Sequence, residues 1–240
     1  LLAGELGMEL AELLGEAGLI VHGTTVATNA LLERKGAKVG MLTTEGHRDI
    51  IEMREGLKDD RYNLRMPPPV PLVPRARRLD VTERMRFDGS VAIPLSRRSA
   101  EAAIRRLSDA GVGAVAVCYL HSYRDPRHER ETRKLLARRL PGAYVSLSSD
   151  VLAQIKEYER FGTTVVNAYV GPVLGRYLGS LGARLQKAGY RGEVLIMQSH
   201  GGVATIADSV RLAAGAVLSG PAGGIAGRPD AGWPDGSAKT

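Results

Sequence analysis

Apolar residues at Leu2, Leu6, Leu10, Leu13 and Leu14 recur at helical spacing, and Gly15 to Gly18 stop that helix. From there the period changes repeatedly. LIV at residues 19–21 predicts a short buried strand. HGTTVATNALLERKG predicts a helix capped by Thr24 and Thr25, with Leu31 and Leu32 facing inward and Gly36 closing it. KVGMLTT at 38–44 predicts a second strand and HRDIIEM a short helix. Between Arg54 and Arg78 the pattern dissolves. The five prolines at 67–74 forbid helix and cannot donate to a central ladder, so an extended loop is expected.

Regular spacing then returns. LDVTERM and SVAIPL, turned by Asp88-Gly89, predict a hairpin. Ser96 caps a predicted helix ending at Gly111, and GAVAVCYL is a buried strand. Asp125-Pro126 opens a helix that Pro141-Gly142 stops, and AYVSLS is a strand. Residues 151–186 read mainly as helix, broken near Gly162. EVLIMQ at 193–198 is a strand running into Ser199-His200-Gly201-Gly202, and Pro221 stands where a last helix would begin. Strand and helix alternate, which predicts an α/β fold. Residues 1–227 are expected to form one lobe, and 228–240, without periodicity, an irregular tail.

With 44% apolar and 25% charged residues over 240 positions, the chain has the composition of a globular protein with a real core. No run of about 18 uncharged apolar residues occurs, so a cytoplasmic protein with no membrane partner is expected. Cys118, the single cysteine, lies in the apolar run AVAVCYL and reads as a core side chain. A net charge of +7 invites a nucleic-acid reading. The arginines are dispersed, however, and aromatics make up only 5%, so no nucleic-acid partner is expected. His121, His128 and Glu129 lack one-turn ligand spacing, and no metal site is assigned.

Three segments share one design, an apolar element end followed by a small-residue turn and an expected helix start. They are His22-Gly23-Thr24-Thr25 with Asn29, Ser199-His200-Gly201-Gly202, and Ser219-Gly220-Pro221-Ala222-Gly223-Gly224. Glycine lets backbone amides approach an anion closely, and unpaired amides at a helix start favour negative charge. Ordinary capped turns are the alternative reading of each. Arg54 and Arg61 in the long loop suit a carboxylate or phosphate, or simply solvent. Asn167, among apolar neighbours, is either a buried structural hydrogen bonder or a substrate contact. No general base stands out.

The segments HGTTVATNALLERKGAKVGMLTTEGHRDIIEMREG, EYERFGTTVVNAYVGPVLGRYL, VLIMQSHGGV and LSGPAGG, in that order, resemble the hydantoinase/oxoprolinase family from about residue 5 to about 227. YLHSYRDPRHE also looks like a family segment, which favours a structural role for His121 and His128. His47 and His200 stand where the family would carry an aromatic and an asparagine. The resemblance implies an actin-like ATPase (ribonuclease H-like) lobe, with the first phosphate hairpin and a later Asp-Gly-Gly-Thr type loop lying outside this chain.

It further implies ATP, with Mg²⁺ on its phosphates, and hydrolysis of a cyclic amide of hydantoin or 5-oxoproline type through a phosphorylated carbonyl. The ketone-carboxylase branch and a non-catalytic binding module are the alternatives. A second subunit of the hydantoinase B type, or a fused equivalent, is the implied partner. On this resemblance His22, Thr24, Thr25, Asn29, Arg54, Arg61, Asn167, Ser199, His200, Gly201 and Gly202 are candidate substrate contacts. Ser219, Gly220, Pro221, Ala222, Gly223 and Gly224 are then the candidate nucleotide contacts.

Overall fold

A computed structural model describes residues 2–54, 60, 62–67, 69–220 and 222. The chain divides into two compact units, Leu1–Lys35 with Val173–Thr240, and Gly36–Pro172. Arg61, Pro221, Gly223, Gly224 and the expected tail lie outside the described residues.

The continuous unit is built on a four-stranded parallel sheet. Its strands are β2 (Val39–Thr44), β3 (Arg78–Val81), β6 (Ala114–Cys118) and β7 (Tyr144–Leu147), in the order β3-β2-β6-β7. Every residue of β2 and β6 is buried, as a parallel sheet covered on both faces demands of its central strands. Helix α5 (Arg97–Asp109) lays Ala100, Ala103, Ile104 and Leu107 on this sheet, with Leu42, Val115, Val117 and Leu136 in the same cluster. The Ser96 hydroxyl caps α5 by accepting from the Ser99 N–H. Gly40 keeps a close approach, because a Cβ there would sit 2.5 Å from Leu107 Cδ2. Helix α6 (Arg127–Arg139) follows Asp125, whose carboxylate accepts from the Arg127 N–H. Cys118 is fully buried, in keeping with its reading as core.

The LDVTERM segment divides between two sheets. Its first half joins the main sheet as β3, parallel to β2, while β4 (Arg84–Met85) pairs antiparallel with β5 (Val91–Ile93) around Gly89. Before β3, the irregular stretch is anchored by Arg78, fully buried, which donates to the Val73 carbonyl at 2.8 Å and to Glu52 at 2.9 Å.

The other unit contains α1 (Leu2–Leu6), α2 (Leu10–Glu16), β1 (Leu19–His22), α3 (Val26–Leu32), β8 (Glu193–Met197), β9 (Val203–Thr205) and α9 (Ile206–Arg211). Strand β1 runs parallel to β8, and β8 antiparallel to β9. Expectation and structure part at four places here and in the long helix. Among the described residues β1 is an edge strand that pairs with β8, so Leu19 and Val21 are 54% and 47% exposed rather than buried. In α3 the inward stripe is Ala27, Ala30 and half-buried Leu31; the 100° step to Leu32 turns it outward, 78% exposed. That helix ends through Arg34 at φ 56°, not through Gly36, which is needed because a Cβ would meet the Tyr169 ring at 2.1 Å.

Finally, α8 (Glu157–Lys187) is continuous through Gly162. One glycine costs a helix about 1 kcal/mol. Burial of Phe161 and Val165 and the bond from Thr164 Oγ1 to the Arg160 carbonyl outweigh that. Pro172 also lies inside this helix, where it removes one intrahelical donor.

Candidate functional site

In the unit that carries the sheet β1-β8-β9, parallel pairing puts the carboxyl ends of β1 and β8 side by side, with His22 opposite Ile196. The turn after β1 and the segment at 218–220 meet there. Ser219 Oγ donates to the Thr24 carbonyl at 3.0 Å, and the Leu218 N–H donates to Thr28 Oγ1 at 2.8 Å. Helical backbone begins at Ser219, ahead of the expected start at Pro221. Leu218 holds φ 62°, an uncommon conformation for a residue with a side chain. Gly220 lies against Thr25, since a Cβ would stand 3.1 Å from Thr25 Cγ2.

Thr24 is buried and its hydroxyl accepts from the Val26 N–H at 3.2 Å, while Asn29 Nδ2 reaches Thr25 Oγ1 at 3.4 Å. His22 Nε2 lies 2.9 Å from the Tyr177 hydroxyl, and burial holds its imidazole below the ordinary histidine range. Gly23 stays approachable, with Ser219 O, at 3.9 Å, the nearest atom to a Cβ position.

The turn at Ser199 to Gly202 joins this neighbourhood by a different route. It is the bend of the β8–β9 hairpin, not a helix start: the Gln198 N–H donates to the Gly202 carbonyl at 2.8 Å, and Gly201 takes φ 87°. Helix α9 begins only after β9. The Ser199 N–H donates to the Gly215 carbonyl at 2.7 Å, tying the bend to the 3-10 turn Ala213–Ala216 that leads into residues 218–220. Gln198, buried behind it, donates to the Ile196 carbonyl and to Ser209 Oγ, both at 3.1 Å. His200 is exposed. So His22, Thr24, Thr25, Asn29, Ser199 and Ser219 gather at one end of one sheet.

The remaining candidates belong to the other unit. Asn167 is fully buried and donates to the Tyr144 hydroxyl at 3.2 Å and to Ser146 Oγ at 2.9 Å, which is the structural one of its two readings. Arg54 ends the short helix α4 (Ile50–Met53) at φ 50°.

That unit also holds polar features absent from the motif reading. His128 is buried with Nδ1 2.7 Å from Glu83, whose other oxygen accepts from Thr44. Glu129 accepts from the Tyr119 and Ser149 N–H groups and from the Ser148 and Ser149 hydroxyls, between 2.7 and 3.0 Å. Desolvation still outweighs those donors and pushes its carboxyl above the ordinary range.

A cavity of about 530 Å³ opens beyond the carboxyl ends of β2 and β6. Its polar wall is His47, His121, Lys156, Glu157 and Tyr158, and its apolar wall Ile50, Met53, Leu120 and Ile155. His47 is committed on both ring nitrogens, Nδ1 to the Glu45 carbonyl at 3.0 Å and Nε2 to Arg84 at 3.4 Å. His121 Nδ1 is buried without a partner, and its backbone sits at φ 54°. Burial lowers its pKa, with Glu157 opposing and Arg84 adding to the shift. The imidazole is therefore neutral near pH 7. Among the described residues no group of three acidic, histidine or cysteine side chains is placed to hold a metal ion.

Comparison with known proteins now bears on this geometry. The hydantoinase/oxoprolinase N-terminal region matches residues 3–140, and the hydantoinase/oxoprolinase model matches 160–233, beyond the Gly227 limit expected from the motifs. The chain belongs to the hydantoinase/oxoprolinase family.

Caprolactamase subunit alpha of Pseudomonas jessenii is 40% identical over 223 residues, spanning 92% of this chain and 32% of that one. The acetone carboxylase beta subunit of Xanthobacter autotrophicus is 30% identical, with 92% and 32% covered. The 5-oxoprolinase of Saccharomyces cerevisiae is 32% identical, with 85% and 18% covered. In structure, the ATP-dependent caprolactamase of Pseudomonas jessenii superposes with TM-score 0.85 over 92% of this chain and 32% of that chain. Nucleotide-free acetone carboxylase gives 0.83 at 28% identity, over 93% and 33%. The chain thus spans about a third of the length of the caprolactamase and acetone carboxylase chains. The α/β fold, with its four-stranded parallel sheet and smaller mixed sheet, is that of an actin-like ATPase lobe. No helix among the described residues is long and apolar enough to cross a membrane.

Proposed function

We propose that this chain is part of a cytoplasmic, ATP-dependent enzyme that opens a cyclic amide through a phosphorylated carbonyl. The observation that carries the reading is the meeting of the β1 turn, the β8–β9 bend and residues 218–220 at one sheet end, where Gly23 and Gly201 leave backbone open to a ligand. The likeness to an ATP-dependent caprolactamase supplies the reaction class. On this reading Ser219, Gly220 and the residues after them present amides to the nucleotide's phosphates. His22, Thr24, Thr25, Asn29 and the Ser199 to Gly202 bend line the same hollow.

The chemistry answers a real difficulty, since an amide carbon is a poor electrophile. Its oxygen attacks the terminal phosphorus of ATP and ADP departs. Water then adds to the activated carbon, the C–N bond breaks with protonation of nitrogen, and a second water releases phosphate from the acyl phosphate. Such transfer is mostly a matter of positioning and charge neutralisation. Residues 22–29, 198–202 and 213–220 contain no lysine or arginine. The phosphate charge therefore calls for Mg²⁺ and for cations from the rest of the enzyme. Relatives named as alpha, beta and gamma subunits support a partner chain, which we take to be of the hydantoinase B type.

The test is phosphate release by the full reading frame with its partner subunit, measured with ε-caprolactam, hydantoin, 5-oxoproline and acetone in turn. Release matched by ring-opened amino acid is the expected result. Carboxylated ketone would instead establish the acetone carboxylase type of reaction, and no substrate-dependent release would mark a binding module.

A further inference from the structure

The cavity of the Gly36–Pro172 unit sits where a ligand site is expected on topology alone. From β2 the chain first moves to β3 on one side, then crosses to β6 on the other, so strand order reverses between β2 and β6. In open parallel sheets the crevice outside the carboxyl ends at such a switch point is the usual binding place. The residues after β2 and after β6, with those at 155–158 beyond β7, form its walls. Its volume of about 530 Å³ falls in the range of small-molecule pockets.

Local cost points the same way. Five non-glycine residues among those described adopt positive φ, and three of them, Arg54, His121 and Lys156, lie on this cavity or directly beside its wall. Such conformations are costly and collect where function holds them. His121 adds an unpaired buried nitrogen, a group that folded proteins rarely leave without a partner.

We infer that this cavity binds a small neutral lactam, with His121 hydrogen-bonded to the ring amide and Ile50, Leu120 and Ile155 covering its methylenes. The inference rests on the cyclic-amide reading above and gives that substrate a holding place in this unit, additional to the contacts proposed at the β1 turn. A neutral imidazole offers one donor and one acceptor on nitrogens that point apart, so it meets either the carbonyl or the N–H of a lactam through a single hydrogen bond. The ammonium and the carboxylate on the wall, Lys156 and Glu157, are of opposite sign and offset one another, which gives an ionic ligand little advantage over a neutral one. His47, with both nitrogens already engaged, shapes the wall without competing for the amide.

The experiment is titration of the isotopically labelled 240-residue chain with ε-caprolactam, followed by NMR, alongside 5-oxoproline as a lactam bearing a carboxylate. Saturable shifts centred on His121, Leu120 and Ile155, at least tenfold tighter for caprolactam than for 5-oxoproline, are expected. His121→Asn keeps a residue that tolerates left-handed backbone and should weaken binding at least tenfold. Ile155→Asp, at a position 67% exposed and so free of folding cost, should weaken it as well. Binding undiminished in both variants, tighter binding of 5-oxoproline, or shifts centred elsewhere would overturn the assignment. If the full enzyme opens lactams while these shifts are missing, the cavity assignment alone falls. If neither lactam turnover nor lactam shifts occur, the cyclic-amide reading falls with it.

Discussion

The two units handle their sheets in opposite ways. In the Gly36–Pro172 unit, β2 and β6 are buried along their whole length and flanked on both sides. Polar groups enter this interior largely in matched sets, such as Glu129 with its four donors, while a few atoms, among them Thr43 Oγ1 and His121 Nδ1, are left without a partner. In the other unit β1 is an edge with half its side chains outside, and the sheet has three strands. The first unit is organised around a core, the second around loops at one end of a small sheet. A rigid sheet bearing a cavity and a lighter frame bearing glycine turns suit different tasks, holding a small molecule in one and admitting a phosphate chain to backbone in the other.

Substitutions sharpen that contrast. Glu129→Ala orphans up to four buried donors, each costing about 1–3 kcal/mol, so a loss of at least about 3 kcal/mol is expected in urea denaturation. The pH dependence carries its own sign. A glutamate whose folded pKa is raised binds its proton more tightly in the folded state. Stability attributable to Glu129 is therefore full below the ordinary glutamate value and declines as pH rises from there through the raised one. A wild-type profile that Glu129→Ala leaves unchanged in shape would contradict this.

Leu42→Ala, in the middle of β2 and fully buried, should cost about 2–5 kcal/mol by the same measurement. Leu19→Ala on β1 is expected to stay within about 0.5 kcal/mol, as exposed positions do. Equal losses at Leu42 and Leu19 would erase the distinction between the units.

The central strands were legible because residues 38–44 and GAVAVCYL are continuous apolar runs of strand length, and the Ser96 cap because its chemistry is local; at α6 the cap position falls on Pro126, with Asp125 one residue ahead of it. LIV misled, since three apolar residues read the same at an edge as at a centre. The Gly201-Gly202 bend misled because small residues serve a hairpin and a helix start alike. The motifs did bring the β1 turn and residues 218–220 to one place. The cavity escaped notice, being assembled from segments following β2, β6 and β7 that share no pattern. Only the folded structure shows that His121 holds a left-handed backbone and that its Nδ1 is unpaired.

The Gly36–Pro172 unit is an insertion within the chain of the other, and this sets an order of events at the ribosome. Strand β1 emerges early, but β8, its partner, follows roughly 170 residues later, about 10–30 seconds at ordinary elongation rates. The inserted unit can complete its own sheet in that interval. Until β8 arrives, Leu19 and Val21 belong to a strand that lacks this partner, so slow translation across residues 36–172 would lengthen the period in which that edge is open to aggregation or to chaperone capture.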